Sequence, residues 1–403
     1  KGIARPTIEI ANTGEKHTID GVEMEFVYVL DTEAPVEIMI WLPQLKAFCT
    51  AEDMTHNMHN LQTLRGAKVR NGLLWSKAVD TAIERYGDRV EVSFSTHHWP
   101  TWGNERIVDY WEAQRDMYRY LHDQTLHLAN RGLTPDEIAE EMKLPASLAS
   151  QFNCRGYYGT LSHNVKAQYD LYFGWFDGNP AHLNPLPPSE LGAKYVEAIG
   201  GADKVLEVAK ASYAKGEYRW VATLLDNLVF AEPENKEARQ LLSDTYSQLG
   251  YQAESGPWRN FYLTGAQDLL KKAVPYTSKL INDGVLSQMD MGTLLDYCAI
   301  QLNGEKAGGK EAVININFTD TKEKVMLMLK NGVLNHRLGS QDKKADLTME
   351  IAKMDFVKLF FGRTDLQTLR KTNKVKTTGD TKAIDMIRSA CEPADPNFNI
   401  VLP

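Results

Sequence analysis

The chain has 403 residues, of which 43% are apolar and 24% charged, with a formal net charge of -8. That length is long for one core, so two or three domains are expected, and an acidic balance without a basic run argues against a nucleic-acid partner. No stretch reaches the roughly 18 apolar residues of a membrane span, and the four dispersed cysteines (Cys49, Cys154, Cys298, Cys391) offer neither a disulfide framework nor a thiolate metal site.

The chain opens on Lys1-Gly-Ile-Ala-Arg-Pro, without methionine or a signal-peptide pattern, and reads as starting partway through a larger protein. Met24–Leu30 and Val36–Leu42 carry the β-branched and aromatic residues of buried strands, split by the turn-like Asp31-Thr-Glu-Ala-Pro. From Asn57 to about Tyr86 the spacing of Leu61, Leu64 and Ala67, then of Leu74, Trp75, Ala78, Ala82 and Ile83, predicts a helix. On it His56 and His59 would stand one turn apart, a pair better suited to packing or support than to first ligation. Arg89–Phe94 predicts a strand ending just before His97. Strand, helix, strand argues for an α/β layer.

The pattern from Asn104 to Leu270 is almost wholly helical. Thr134-Pro-Asp-Glu is a capping box with proline at the first helical position. Lys215-Gly-Glu-Tyr and Gln248-Leu-Gly-Tyr recur at nearly the 34-residue tetratricopeptide period, though fewer than two repeats are visible, so a plain bundle of helical hairpins is the better reading of the spacing. Leu183-Asn-Pro-Leu-Pro-Pro is a stiff connection. Past about Tyr276, the alternating run Ala312–Phe318, a hairpin turning at Asn331-Gly332, the strand Asp346–Ile351 and a helix over Asp355–Phe361 predict an α+β module. Its methionines, Met326, Met328, Met349 and Met354, would line an aliphatic tunnel or simply fill a core.

Two polar blocks stand out: AEDMTHNMHNLQTLRGAKVRN at 51–71 and STHHWPTWGN at 95–104. They set a carboxylate, an amide, a guanidinium and an imidazole pair in an apolar frame, suited to holding a metal beside an oxyanion. Taken alone, Glu33 reads as a solvated turn carboxylate or as a ligand. Glu52 and His97 are stronger candidates, because each borders an apolar element. Arg65 reads as an oxyanion fork or as half of a surface ion pair.

With EAPVEI, the helix YWEAQRDMYRYLHDQTLHLANRG, GWFDGNPAHLNPLPP and the GGADKVL to FAEPEN segment, these blocks make the chain resemble the zinc-dependent alkylsulfatases of the metallo-β-lactamase superfamily. The likeness runs over nearly the whole chain. It implies a multidomain protein: the C-terminal part of an αββα metallo-β-lactamase-type catalytic domain (1–113), an all-α tetratricopeptide-like dimerisation domain (114–270) and a sterol-carrier-like α+β domain (276–403). It also implies a sulfuric-ester hydrolase acting on alkyl sulfates such as dodecyl sulfate through two zinc ions, working as a homodimer, and favours a setting outside the cytoplasm. Matched by motif, Glu33, Glu52 (bridging) and His97 correspond to metal ligands and His98 to a supporting group. Asn60 and Arg65 correspond to sulfate-holding positions. Tyr169, with His163, is placed at the site from the helical domain.

Two departures from the family pattern matter. Where the family block ends in Arg-Asp, this chain has Arg70-Asn71, which removes an expected supporting pair. None of the ten histidines stands two residues from another, so the family's H-x-H-x-D-H motif is absent, leaving three of seven ligands. Three readings follow. This is a fragment of an alkylsulfatase, or the N-terminal half of a nicked enzyme comes from a second chain, or it is a dimerisation and lipid-binding module without catalysis.

Overall fold

The computed structural model describes residues 6–271, 282–395 and 397–403. Two compact units result: the described residues of Ile8–Ala273 and Asn399–Pro403 form one, and those of Val274–Phe398 the other. The expected third-domain start at 276 lies outside the described residues.

The first unit opens with a six-stranded sheet in sequence order: β1 (Lys16–Ile19), β2 (Val22–Leu30), β3 (Val36–Leu42), β4 (Ala47–Cys49), β5 (Val92–Phe94) and β6 (Thr101–Trp102). All neighbours are antiparallel except β4 and β5, which run parallel because the helix α1 (Gly72–Tyr86) carries the chain between them. Val27, Val29, Met39, Trp41 and Phe48 are buried on one face of the sheet. There α1 and α2 (Asn104–Ala129) pack, with Trp41 stacked on Tyr86 at 5.2 Å and Phe48 edge-on to Trp111 at 5.1 Å. Helix α2 runs unbroken through residues 113 and 114.

The helix expected from Asn57 begins only at Gly72. Residues 50–71 are an irregular loop, largely buried apart from an exposed turn at 64–68, because their backbone groups find distant partners in place of the i−4 ladder. His59 N donates to the Tyr118 hydroxyl (3.1 Å), Leu61 N to Asn164 Oδ1 (2.8 Å) and Met58 N to Arg155 O (2.9 Å). Asn71 ends the loop and caps α1, its Oδ1 accepting from the amides of Leu73 and Leu74. His56 and His59 therefore share a loop, not a helix face.

Helices α3 (Pro135–Glu141), α4 (Ala146–Ala149), α5 (Leu161–Phe173), α6 (Pro188–Ile199), α7 (Ala202–Ala214), α8 (Tyr218–Ala231), α9 (Lys236–Gln252) and α10 (Gly256–Leu270) follow. The capping box at Thr134 and Glu137 is formed. Of the two glycine motifs, Gly216 turns the chain between α7 and α8, whereas Gly250 lies inside α9 against Leu263, so they are not equivalent positions.

In the second unit α11 (Asp283–Gln288) and α12 (Met291–Ile300) precede β7 (Ala312–Phe318), β8 (Lys324–Lys330), β9 (Val333–Leu338) and β10 (Leu347–Ile351). Then come α13 (Lys353–Phe360), α14 (Leu366–Lys371), β11 (Val375–Gly379) and α15 (Lys382–Ser389). The sheet order is β11-β10-β7-β8-β9. Asn331 and Gly332 both take positive φ, as a two-residue hairpin turn demands. Met349 is fully buried among Ile314, Ile316 and Phe356, part of a closed core.

Candidate active site

Glu52 and His97 are brought together by the one parallel strand pair. Glu52 follows β4 and His97 follows β5, so both leave the carboxyl ends of neighbouring parallel strands, where α/β layers form their crevices. Backbone bonds lock the two loops to each other: Thr50 N donates to Phe94 O (2.8 Å) and Thr96 N to Ala51 O (3.0 Å). Ala51 and His98 both adopt left-handed backbone, with φ of 49° and 71°. Such conformations are costly for residues with a Cβ and tend to gather at functional sites.

The Glu52 carboxylate is the hub. It accepts from His97 Nδ1 and Thr96 Oγ1, and His59 Nε2 stands 3.5 Å from its second oxygen. Burial works to raise its pKa, but His59, Thr96 and His97 outweigh burial and hold it at about 2. The ring of His98 turns the other way, 3.1 Å from Asn57 Nδ2.

Behind Glu52 lie three more carboxylates within electrostatic reach: Glu33, Glu37 and Asp53. Glu37 accepts from Glu52 N at 3.1 Å, and burial together with its acidic neighbours pushes its carboxyl up to about 7. Asp53 is wholly buried and is driven up by burial and by Glu37. Arg70 counters this charge. Its guanidinium donates to the backbone oxygen and carboxylate of Glu33, and to the backbone and side-chain oxygens of Asn60.

A pocket of about 490 Å³ opens over the hub, lined by Glu52, Thr55, Asn57, His59, His97 and His98. Its far wall comes from the helical region: Tyr157, Tyr158 and the start of α10 at Gly256, Pro257 and Asn260. Gly159 allows this wall to close in, since a Cβ there would meet His59 O at 2.5 Å.

Two family models match the chain, alkyl sulfatase dimerisation over residues 134–272 and alkyl sulfatase C-terminal over residues 279–403. The linear primary-alkylsulfatase of Pseudomonas sp. is 46% identical over 99% of this chain, and the (R)-specific secondary-alkylsulfatase of Pseudomonas sp. 43% over 100%. The alkyl/aryl-sulfatase BDS1 of Saccharomyces cerevisiae is 42% identical over 99% of the chain. The solved structure of the stereoselective inverting sec-alkylsulfatase Pisa1 from Pseudomonas sp. superposes with a TM-score of 0.97 at 42% identity over the whole chain. The chain belongs to the alkylsulfatase family.

This alkylsulfatase-family chain spans 59%, 60% and 61% of the length of those three curated relatives and 63% of Pisa1. Of the residues singled out in its sequence, Glu52 and His97 meet, and His98 lines the same pocket. Glu33 is held by Arg70. Asn60 is buried against Arg70, while Arg65 sits on an exposed turn outside the pocket lining. Tyr169 is buried in α5 against Phe173, and His163 bonds Gln62 O at 2.7 Å; neither reaches the lining. At Arg70-Asn71, Arg70 pairs with Glu33 and Asn71 caps α1.

The sequence assigned no site role to Asn57, Tyr157, Tyr158 or Asn260, and a supporting one to His59, which the 3.5 Å approach to Glu52 gives it. The polar block itself signalled Asn57 and His59; nothing local marks Asn260, which arrives from more than 200 residues downstream.

Proposed function

We propose that this chain contributes part of a binuclear zinc site that hydrolyses alkyl sulfate esters, such as dodecyl sulfate, to alcohol and sulfate. The observation that carries this reading is the Glu52–His97 pair at the carboxyl ends of two parallel strands, in a chain of alkylsulfatase ancestry. A carboxylate and an imidazole match zinc in kind. They fall short in number, for among the described residues no group of three or more His, Cys, Asp or Glu is arranged to hold a metal ion. Glu52 and His97 would hold zinc, with Glu33 joining once Arg70 releases it, and further ligands must come from outside these residues. When bound, zinc supplies hydroxide near neutral pH.

The chain's own residues orient and select. Thr96 and His59 fix the Glu52 carboxylate, and Asn57 fixes His98. The resemblance gives Asn60 and Arg65 the sulfate group and Tyr169 a place beside it. The same likeness supports a metallo-β-lactamase-type layer, a dimerising helical domain and a sterol-carrier-like domain, hence a homodimer. Glu52→Gln or His97→Ala is expected to lower sulfate release from dodecyl sulfate at least about 100-fold in zinc-supplemented protein whose remaining ligands are supplied, and to reduce bound zinc measured by atomic absorption. Turnover and zinc content both unaltered by these changes would refute the assignment.

A further inference from the structure

His163, in the first turn of α5, is buried, and both nitrogens of its ring are in use. The indole N–H of Trp258, near the start of α10, donates to Nδ1 at 3.3 Å, and Nε2 stands 2.7 Å from Gln62 O. A carbonyl only accepts and an indole N–H only donates. The two partners therefore admit one form of the ring, neutral and with its single proton on Nε2. A proton added at Nδ1 would meet the Trp258 N–H donor to donor and leave a charge inside the protein.

The ring sits where it can move the pocket. Helix α5 is held to the loop at 50–71 by other bonds: Asn164 accepts from Leu61 N and donates to His59 O, and Gln168 donates to Arg70 O. Helix α10 hangs by its first residues on a different segment, with Gly256 N donating to Tyr157 O and Ser255 Oγ to Tyr158 O, both at 2.8 Å. Beyond those residues, Trp258 is tied through His163 to Gln62 of the loop. Pro257 and Asn260, on either side of Trp258, line the pocket, so the place of the indole sets the place of that wall.

Among the charged and titratable groups of the surrounding elements, Lys166, one turn along α5, opposes a proton on the ring and is itself paired with Asp136 of α3. On the loop, His59 turns to Glu52 and Arg70 to Glu33, while Arg65 stands on the exposed turn. Beside α10, Glu254 is held by Arg155, and Arg259 donates to the backbone oxygens of Ala253 and Glu254. Burial first, and then Lys166, keep the imidazole below its ordinary value of 6.5, against the pull of Gln62 O.

We propose that His163 is an acid-operated latch on the pocket: a proton on Nδ1 expels the Trp258 N–H, frees α10 beyond Gly256 from the loop and draws back the wall at Pro257 and Asn260. The latch is closed above the ordinary imidazole range and is lost as pH falls through the lower folded value. It needs no catalysis, so it stands or falls apart from the sulfate-ester reading.

The readout is amide hydrogen exchange over residues 256–262 of the full chain, at about pH 7.5 and about pH 5, corrected for the intrinsic rate at each pH. In the parent, opening of this stretch is expected to be about tenfold more frequent at the lower pH, the loss of one buried hydrogen bond. His163→Gln, whose amide accepts from Trp258 and donates to Gln62 O without titrating, is expected to show no such step. Trp258→Phe, with no N–H to expel, is expected to exchange fast at both pH values and to raise the His163 titration midpoint seen by NMR. This second variant decides the matter if His163→Gln does not fold. The latch is overturned if the parent shows no acid step, if His163→Gln keeps it, or if Trp258→Phe leaves both the step and the titration of His163 as in the parent. An acid step shared equally by the whole first unit overturns it too, for that is global unfolding.

Discussion

Charge is unevenly distributed among the carboxylates around Glu52, and the cause is how each is partnered. Glu52 has three donors and stays ionised, whereas burial, with acidic neighbours, holds Glu37 near 7 against a single backbone donor. A raised carboxyl stabilises the fold fully below its unfolded pKa, near 4.5, and loses that contribution as pH rises through the folded value near 7. With a chelator present, the first unit is therefore expected to unfold at a lower temperature at pH 8 than at pH 5. Glu37→Gln should flatten that dependence, by up to about 3 kcal/mol across the window. Equal pH slopes for parent and variant in thermal scans would count against this account. Arg70 is the counterweight: Arg70→Ala strips partners from Glu33 and Asn60, and a cost of about 3 kcal/mol is expected in denaturant unfolding.

Among the elements, the loop at 50–71 and helix α1 show why the helical spacing misled. Leu61, Leu64 and Ala67 fall at helical intervals, yet Thr55, Asn57, His59, Asn60 and Thr63 around them are buried polar groups. Asn57 is held by His98, His59 by Glu52 and Asn60 by Arg70, while Tyr118, Asn164 and Arg155 take up the amides of His59, Leu61 and Met58. Where the polar run ends, Asn71 caps the helix. Asn71→Ala should cost about 1 kcal/mol by urea unfolding, and Asn71→Asp, which restores the family's residue, close to nothing. A large loss with aspartate would mean that residue 71 does more than cap. The Asn331-Gly332 hairpin and the Thr134 capping box formed as expected, because each depends on residues within four positions of one another.

Over the whole molecule, the chain's last residues return to the first unit, where Val401 joins the core of α6 to α10 next to Gly265. All eight tryptophans lie between Trp41 and Trp258, so their fluorescence follows that unit alone. Deleting 399–403 should lower the tryptophan-monitored unfolding midpoint by the equivalent of about 1–2 kcal/mol. An unchanged midpoint would show that the tail adds nothing to this core.

The sequence alone determined the strand-rich, helical and α+β succession, the Thr134 cap, the Asn331-Gly332 turn and the family, since these are written in short windows or in long shared blocks. It also marked Glu52 and His97, because each adjoins an apolar strand whose end can be read locally. Only the tertiary structure decided that Glu33 answers to Arg70, that Arg65 stands outside the pocket, and that Tyr157, Tyr158 and Asn260 complete its wall. Those outcomes depend on which distant groups can satisfy a buried charge or a buried amide, and no local pattern encodes such pairing.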